Sequence, residues 1–230
     1  MSGYYFSRAR LSDDATVKAI FPLLKSGGSS HSLIWSLFAG HENQGRDFLY
    51  RENKDGWFYI LSARKPVNAN NLFHLDEPKE FAPNLQEGDC LQFSLRANPV
   101  VRRRIAGTRK SKKMDVVMDS LYRLPDKKHR GEKRDDIVRE AGTSWLTAQG
   151  KNYGFALASA GEDRQESLKI TGYHQTRIYQ KNAKNPLKFS SLDFDGILRV
   201  TDPSSFHAAL YKGLGSAKGY GCGLMMIRRA

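Results

Sequence analysis

Asp47-Phe48-Leu49-Tyr50-Arg51-Glu52-Asn53-Lys54-Asp55-Gly56-Trp57-Phe58-Tyr59-Ile60-Leu61-Ser62-Ala63 is the stretch that decides the fold. Two apolar runs, Asp47 to Arg51 and Trp57 to Ala63, flank the turn formers Asn53-Lys54-Asp55-Gly56, which predicts two neighbouring strands. Ahead of them Leu33, Ile34, Leu37 and Phe38 recur at helical spacing and predict a short helix. Ser26-Gly27-Gly28-Ser29-Ser30 is a flexible break before that helix. Tyr4 to Leu11, rich in aromatic and apolar residues, reads as an opening strand. Asp13 and Asp14 are placed to start a helix towards Leu24, which Pro22 interrupts. Downstream, Leu91 to Val101 alternates polar and apolar residues until Asn98-Pro99 breaks the pattern.

Strand, helix, strand, strand and a final strand make the order of a ferredoxin-like βαββαβ unit, with its second helix poorly marked. The remaining chain repeats that grammar. Ile137, Ala141, Trp145 and Ala148 mark a helix between Asp135 and Gln149. Ser167 to Gln180 and Leu187 to Val200 are strand-like arms around the polar tip Lys181-Asn182-Ala183-Lys184-Asn185-Pro186. Thr201-Asp202-Pro203 opens a further helix, Asp202 suiting the N-cap and Pro203 the first helical position. A strand at Leu224 to Ile227 closes the chain. The expected class is therefore α+β, with two tandem ferredoxin-like domains, residues 1–97 and 98–230, meeting near Asn98-Pro99.

Between the last helix and the last strand lies Gly213-Leu214-Gly215-Ser216-Ala217-Lys218-Gly219-Tyr220-Gly221-Cys222-Gly223, five glycines in eleven residues. Each glycine carries a large folding entropy cost, so such density marks backbone at positive φ or in close approach to something. Close approach of the loop amides, that of Gly215 among them, and of Lys218 to a phosphate backbone is one use, and tight helix-to-strand packing is the other. Tyr220 is placed either to stack on a base or to pack inside. The chain carries a formal charge of +13 over 230 residues, which points to a polyanionic partner through counterion release. Arg102 to Lys113 concentrates seven basic residues in twelve with no acid. It reads as a mobile basic segment that contacts phosphate, or as a solvated loop.

Several classes drop out. No run of about 18 apolar residues exists, so no transmembrane helix and no membrane partner are expected. Cys90 and Cys222 are far apart without a paired Cys or His, which suits a reducing cytoplasm better than a disulfide or zinc site. His31, His41, His74, His129, His174 and His207 form no metal-ligand pattern, and no phosphate-binding glycine–lysine–serine loop or dinucleotide fingerprint is present. Neither a metal nor an organic cofactor is expected. His31 stands where the Gly-Ser break becomes the short helix, so its imidazole is free to project from a helix start. A histidine exchanges protons near neutrality, as metal-free cleavage of an RNA phosphodiester requires. By spacing alone a surface or capping histidine is the plainer reading.

Four segments together resemble the CasE family, the CRISPR RNA-processing endoribonucleases of the type I-E Cascade complex. They are Ser30-His31-Ser32-Leu33-Ile34-Trp35-Ser36-Leu37-Phe38 followed by Arg46-Asp47-Phe48-Leu49-Tyr50, then Leu95-Arg96-Ala97-Asn98-Pro99-Val100. The others are Phe194-Asp195-Gly196-Ile197-Leu198 with Val200-Thr201-Asp202-Pro203, and the glycine loop ending Tyr220-Gly221-Cys222-Gly223-Leu224-Met225. The resemblance implies RAMP-type tandem ferredoxin-like domains and metal-independent cutting of the repeat hairpin of precursor CRISPR RNA at its stem base. It implies 2′,3′-cyclic phosphate and 5′-hydroxyl ends, with the mature crRNA retained for assembly with other Cascade subunits. His31 matches the family's catalytic histidine. The family's tyrosine three residues earlier is Gly28 here, and Ser32 and Ser36 stand where some members carry basic residues. A non-catalytic RNA-binding subunit on the same fold is the alternative that this departure keeps open. Lys25 and Lys218 are candidates for charge at the scissile phosphate. Arg102, Arg103 and Arg104 are candidates for phosphate contact, as are Arg177, Lys181, Lys184 and Lys188 on the hairpin that matches the family's RNA-contacting region.

Overall fold

The computed structural model describes residues 3–16, 20, 30–38, 45–124, 131–158, 168–179 and 185–230. The expected hairpin forms as β2 (Phe48–Glu52) and β3 (Trp57–Ser62), with Gly56 at φ 77° closing the turn. They join β1 (Tyr4–Leu11) and β4 (Phe73–Leu75) in an antiparallel sheet of spatial order β2-β3-β1-β4, and β5 (Lys79–Phe81) pairs with the start of β1. Helix α1 (Ser30–Trp35), continued by a 3₁₀ turn at Ser36–Phe38, covers one face. Its buried Leu33, Ile34, Leu37 and Phe38 pack with Ala9, Phe48, Tyr50, Phe58, Ile60 and Phe73. Residues 63–72 between β3 and β4 are irregular, where a complete ferredoxin-like unit has its second helix. Apart from Asp13–Thr16 and Ile20, the helix expected from Asp13 to Leu24 lies outside the described residues.

The second half contains β6 (Cys90–Ala97), β7 (Val100–Arg104), β8 (Ser111–Asp115), α2 (Val116–Arg123), α3 (Arg134–Tyr153) and β9 (Phe155–Leu157). It continues with β10 (Leu168–Ile178), β11 (Leu187–Val200), α4 (Pro203–Lys212) and β12 (Met225–Arg229). Its main sheet runs β10-β11-β6-β12, the same order as the first, with β9 paired to the end of β11. Leu95, Leu146, Phe194, Leu198, Phe206 and Leu210 belong to its core. Asp202 caps α4 as its chemistry demands, accepting from the amides of Ser204 and Ser205 at 3.0 and 3.2 Å. The fold is thus two ferredoxin-like domains in tandem.

Two expectations are corrected. The boundary at residue 97 cuts in the wrong place, because β6 pairs with both β11 and β12 and is an inner strand of the second sheet. Sheet membership changes between Phe81 and Cys90. The alternation of Leu91, Phe93 and Leu95 marked a strand correctly but carried no information about which sheet would receive it. The basic segment Arg102–Lys113 is not a loose tether either. It folds as the β7–β8 hairpin, closed by the Ile105 amide on the Lys110 carbonyl at 3.0 Å, with Gly107 at φ 75°.

Alternation along β2 joins the two halves. Phe48 and Tyr50 face α1, whereas Leu49 faces the second domain. Leu49, Leu61 and Leu224 form a shared core with Tyr4, Phe6, Tyr59, Phe81, Tyr211 and Met226, and the rings of Tyr4 and Tyr211 stack at 4.0 Å. Beside it Arg51 donates to Ser94 Oγ at 2.8 Å, and Arg96 forks onto Asp193 at 2.8 and 3.0 Å while reaching the Glu52 carbonyl. Truncating Leu61, 2% exposed, to alanine should remove about 3 kcal/mol of stability in urea unfolding. A loss below about 1 kcal/mol would mean that the shared core closes around the gap.

Candidate functional site

His31 occupies the first turn of α1, half-buried against the rings of Trp35, Phe48 and Tyr50 at 5.8, 5.8 and 6.5 Å. Tyr50 comes up from β2 beneath it, fully buried, and donates its hydroxyl proton to the Gly219 carbonyl at 3.1 Å. A phenol has one proton, so the contact at 3.3 Å between Tyr50 and Ser30 is a bond that the Ser30 hydroxyl donates. Burial pushes the Tyr50 phenol up to about 12, which keeps it neutral. The start of α1, the middle of β2 and the 3₁₀ turn Lys218–Tyr220 are therefore tied at one hydroxyl.

That turn lies over the imidazole. A Cβ placed on Gly219 would stand 3.8 Å from His31 Cε1 and 3.9 Å from Nδ1, ordinary contact distance. His31 Nδ1 is buried and has no hydrogen-bond partner. Burial, and then the charge of Arg46, hold the imidazole below its ordinary 6.5. At neutral pH it is the uncharged base, ready to accept a proton. Lys218 donates its Nζ to the carbonyl of Lys212, at the end of α4, at 2.7 Å. Burial chiefly, then Arg46 and Lys212, lower its ammonium below the usual lysine range.

Among the expected binding residues, Lys218 shares the neighbourhood of His31. Lys25, Lys181 and Lys184, and the Gly28 position, lie outside the described residues. Arg177 and Lys188 are exposed and stand directly opposite each other on β10 and β11. The residue after Lys188 is Phe189, whose ring meets Tyr220 at 5.5 Å, so the hairpin adjoins the glycine turn. Tyr220 therefore has a protein aromatic partner and remains half-buried. Arg102 and Arg104 are exposed on β7, whereas Arg103 is drawn onto Asp119 by bonds of 2.6 and 3.0 Å. Arg102 faces Lys113 and Arg103 faces Lys112 across the β7–β8 ladder. Directly opposed like charges are destabilising in a sheet unless an anion offsets them.

Gly215 has a packing role. At φ 78° its added Cβ would come within 2.8 Å of the Asn98 carbonyl and 3.3 Å of Trp145, so the position serves closure of the fold. Sequence reasoning did not place Arg46 and Tyr50 beside His31. Arg46 gave no signal of its own, being one cation among 37. Tyr50 carried only the alternation that put it on the helix-facing side. Among the described residues no group of three His, Cys, Asp or Glu side chains could hold a metal ion, and no helix is long and apolar enough to cross a membrane.

The chain is thus a basic protein of two ferredoxin-like domains with a histidine at their seam, and comparison with known proteins gives its family. A model of the CRISPR-associated protein family matches residues 4–229, and the chain belongs to that family. It is 27% identical over 203 residues to the CRISPR system Cascade subunit CasE of Escherichia coli, covering 86% of this chain and 89% of that protein. It is 27% identical over 152 residues to the CRISPR-associated endoribonuclease Cse3 of Thermus thermophilus, covering 65% of this chain and 61% of the relative. In fold it is similar to Thermus thermophilus Cse3 bound to an RNA representing a pre-cleavage complex. That match has a TM-score of 0.67 at 21% identity and covers 98% of this chain and 99% of the other.

The position of His31 has a consequence in pH. The folded chain binds its proton less readily than the unfolded chain does, so between the two midpoints stability rises with pH. The contribution is lost as pH falls through 6.5 towards the folded midpoint. A ring-proton NMR titration should place His31 below 6.5, and a midpoint above that value would contradict the buried neutral imidazole.

Proposed function

We propose that this protein is a metal-independent endoribonuclease of the cytoplasm. It binds the repeat hairpin of precursor CRISPR RNA, cuts at the base of the stem, and keeps the product for assembly with other Cascade subunits. The observation that carries the proposal is His31, uncharged at neutral pH, with Nδ1 unpartnered beneath a glycine turn that also brings Lys218. The naming of two relatives as a Cascade subunit and an endoribonuclease supports it.

The chemistry needs few parts. The 2′-hydroxyl beside the scissile phosphate loses its proton to a base, and its oxygen attacks phosphorus. The bond from phosphorus to the 5′-oxygen breaks, leaving a 2′,3′-cyclic phosphate, and the departing oxygen collects a proton to become a 5′-hydroxyl. His31 in its uncharged form takes the first proton, and as imidazolium it can return one to the leaving oxygen. Charge grows on the non-bridging oxygens as this proceeds, and cations held in a half-buried seam stabilise it better than they would in water.

An A-form stem hides its base edges in a deep, narrow groove and is gripped through phosphates and shape. The exposed pair of Arg177 and Lys188 on the β10–β11 hairpin, whose neighbouring Phe189 packs against Tyr220 of the turn over His31, offers cations for that grip. Arg102 and Arg104 on the second hairpin extend the basic surface.

Wild-type protein should cut labelled repeat RNA at one position in EDTA. His31→Ala should slow the cut by about 10²–10⁴-fold with hairpin binding retained. Tight binding without cleavage by either protein would instead make the chain an RNA-holding subunit. Replacing Arg177 and Lys188 together by alanine should weaken stem binding and flatten the logarithmic salt dependence by about two charges' worth, roughly 0.9 for each phosphate left without its cation. An unchanged slope would take both residues out of the interface.

A further inference from the structure

We propose that Arg46, standing ahead of β2, grips the phosphate at the reaction centre, so that His31, Arg46 and Lys218 compose a single anion site. The identity of the anion as an RNA phosphate rests on the ribonuclease reading above, whereas the existence of the site does not. Neither the family resemblance nor the relatives' names assign this residue a task.

Arg46 is half-buried, and its Nη1 is shielded from solvent without any hydrogen-bond partner. A guanidinium nitrogen left unpaired inside a protein is costly, and folds tolerate it where something else completes the bond. The adjacent carboxylate is not available. Asp47 is held by Arg64 through two bonds of 2.6 and 2.7 Å. Tyr50, the group whose charge would favour the Arg46 cation, is a buried neutral phenol that gives its proton to Gly219.

The repulsions point the same way. The charge of Arg46 disfavours protonation of both His31 and Lys218, so both lie within its electrostatic reach. Among the described residues no carboxylate acts on His31 or Lys218 in compensation. Arg46 thus works against the positive charge of both His31 and Lys218, and an anion held by Arg46 reverses the sign of that interaction. A tetrahedral phosphate suits it in shape as well. The guanidinium fork donates to two oxygens at once, Lys218 is anchored by the Lys212 carbonyl, and the imidazole faces the same space beneath Gly219.

The test follows the His31 ring protons by NMR while inorganic phosphate is added to wild type, Arg46→Met and Arg46→Lys. Wild type should show a saturable shift at His31. Arg46→Met should weaken phosphate by about tenfold or more, as loss of a charge-assisted pair of bonds implies, and Arg46→Lys should fall between. In parallel, single-turnover cleavage of the repeat hairpin in EDTA should slow about 100-fold in Arg46→Met, with a 2′-deoxy hairpin still bound. Phosphate binding that depends on Arg46 in a protein that cuts no RNA would remove the ribonuclease reading and leave the anion site standing. Equal phosphate affinity in wild type and Arg46→Met, or no effect of phosphate on His31, would overturn the proposal even if the RNA is cut. Should Arg46→Met unfold, Arg46→Lys carries both comparisons alone.

Discussion

A single buried hydroxyl holds the functional region together. Tyr50 donates its one proton to the carbonyl of Gly219, 169 residues further along the chain, and accepts from Ser30, the neighbour of His31. Because the phenol is shielded from water and stays neutral, neither bond has solvent as an easy substitute. The turn over the imidazole, the helix that carries it and the strand beneath it are thereby located relative to one another. Alternation along β2 makes this possible. Tyr50 faces α1 while its neighbours Leu49 and Arg51 face the second domain, so one strand both supports the histidine and seals the domain seam.

The seam itself mixes two kinds of contact. Leu49, Leu61 and Leu224 exclude water, and the Arg51, Arg96 and Asp193 cluster beside them is closely paired. Paired buried charges add little net stability over an apolar substitute but tolerate few alternative alignments. The apolar patch thus supplies adhesion and the ion cluster supplies register. A different balance holds a few residues away, where His31, Arg46 and Lys218 meet and, among the described residues, no carboxylate acts on the imidazole or the lysine. Arg96 and Arg64 thus each fork onto a carboxylate, whereas, among the described residues, neither His31 nor Lys218 is offset by one. On the surface Arg177 faces Lys188 and Arg102 faces Lys113.

Local structure was largely legible in the residues. The opening strand, the β2–β3 hairpin, the short helix and the Asp202-Pro203 helix start all formed where turn chemistry, periodicity and capping placed them. These are decided by forces acting within a few residues. The short strands β4, β5 and β9 escaped notice, since three residues do not make a pattern and they exist through their pairing partners. The same cause misplaced the domain boundary. Alternation identifies β6 as a strand, but its inclusion in the second sheet depends on β11 and β12, which lie far along the chain at Leu187–Val200 and Met225–Arg229. The basic run at Arg102–Lys113 looked loose because charge density hides the pairing that a Gly107 turn permits.

For the site, His31 stood out only through its position in a segment that resembles a known family, since by spacing alone it reads as a surface or capping histidine, and Lys218 stood out by its charge among the glycines. Nothing in the order of residues shows that these two, far apart in the chain, face the same space. Nor does it show that Arg46 joins them, or that Gly215 answers to Asn98 and Trp145. What the sequence by itself determined is the set of local elements, the basic balance and the candidate base. The tertiary structure alone decided burial, and through burial the lowered proton affinity of His31, the neutrality of Tyr50 and the unpartnered Nη1 of Arg46. Desolvation and Coulomb repulsion depend on distance in space, which sequence separation does not encode.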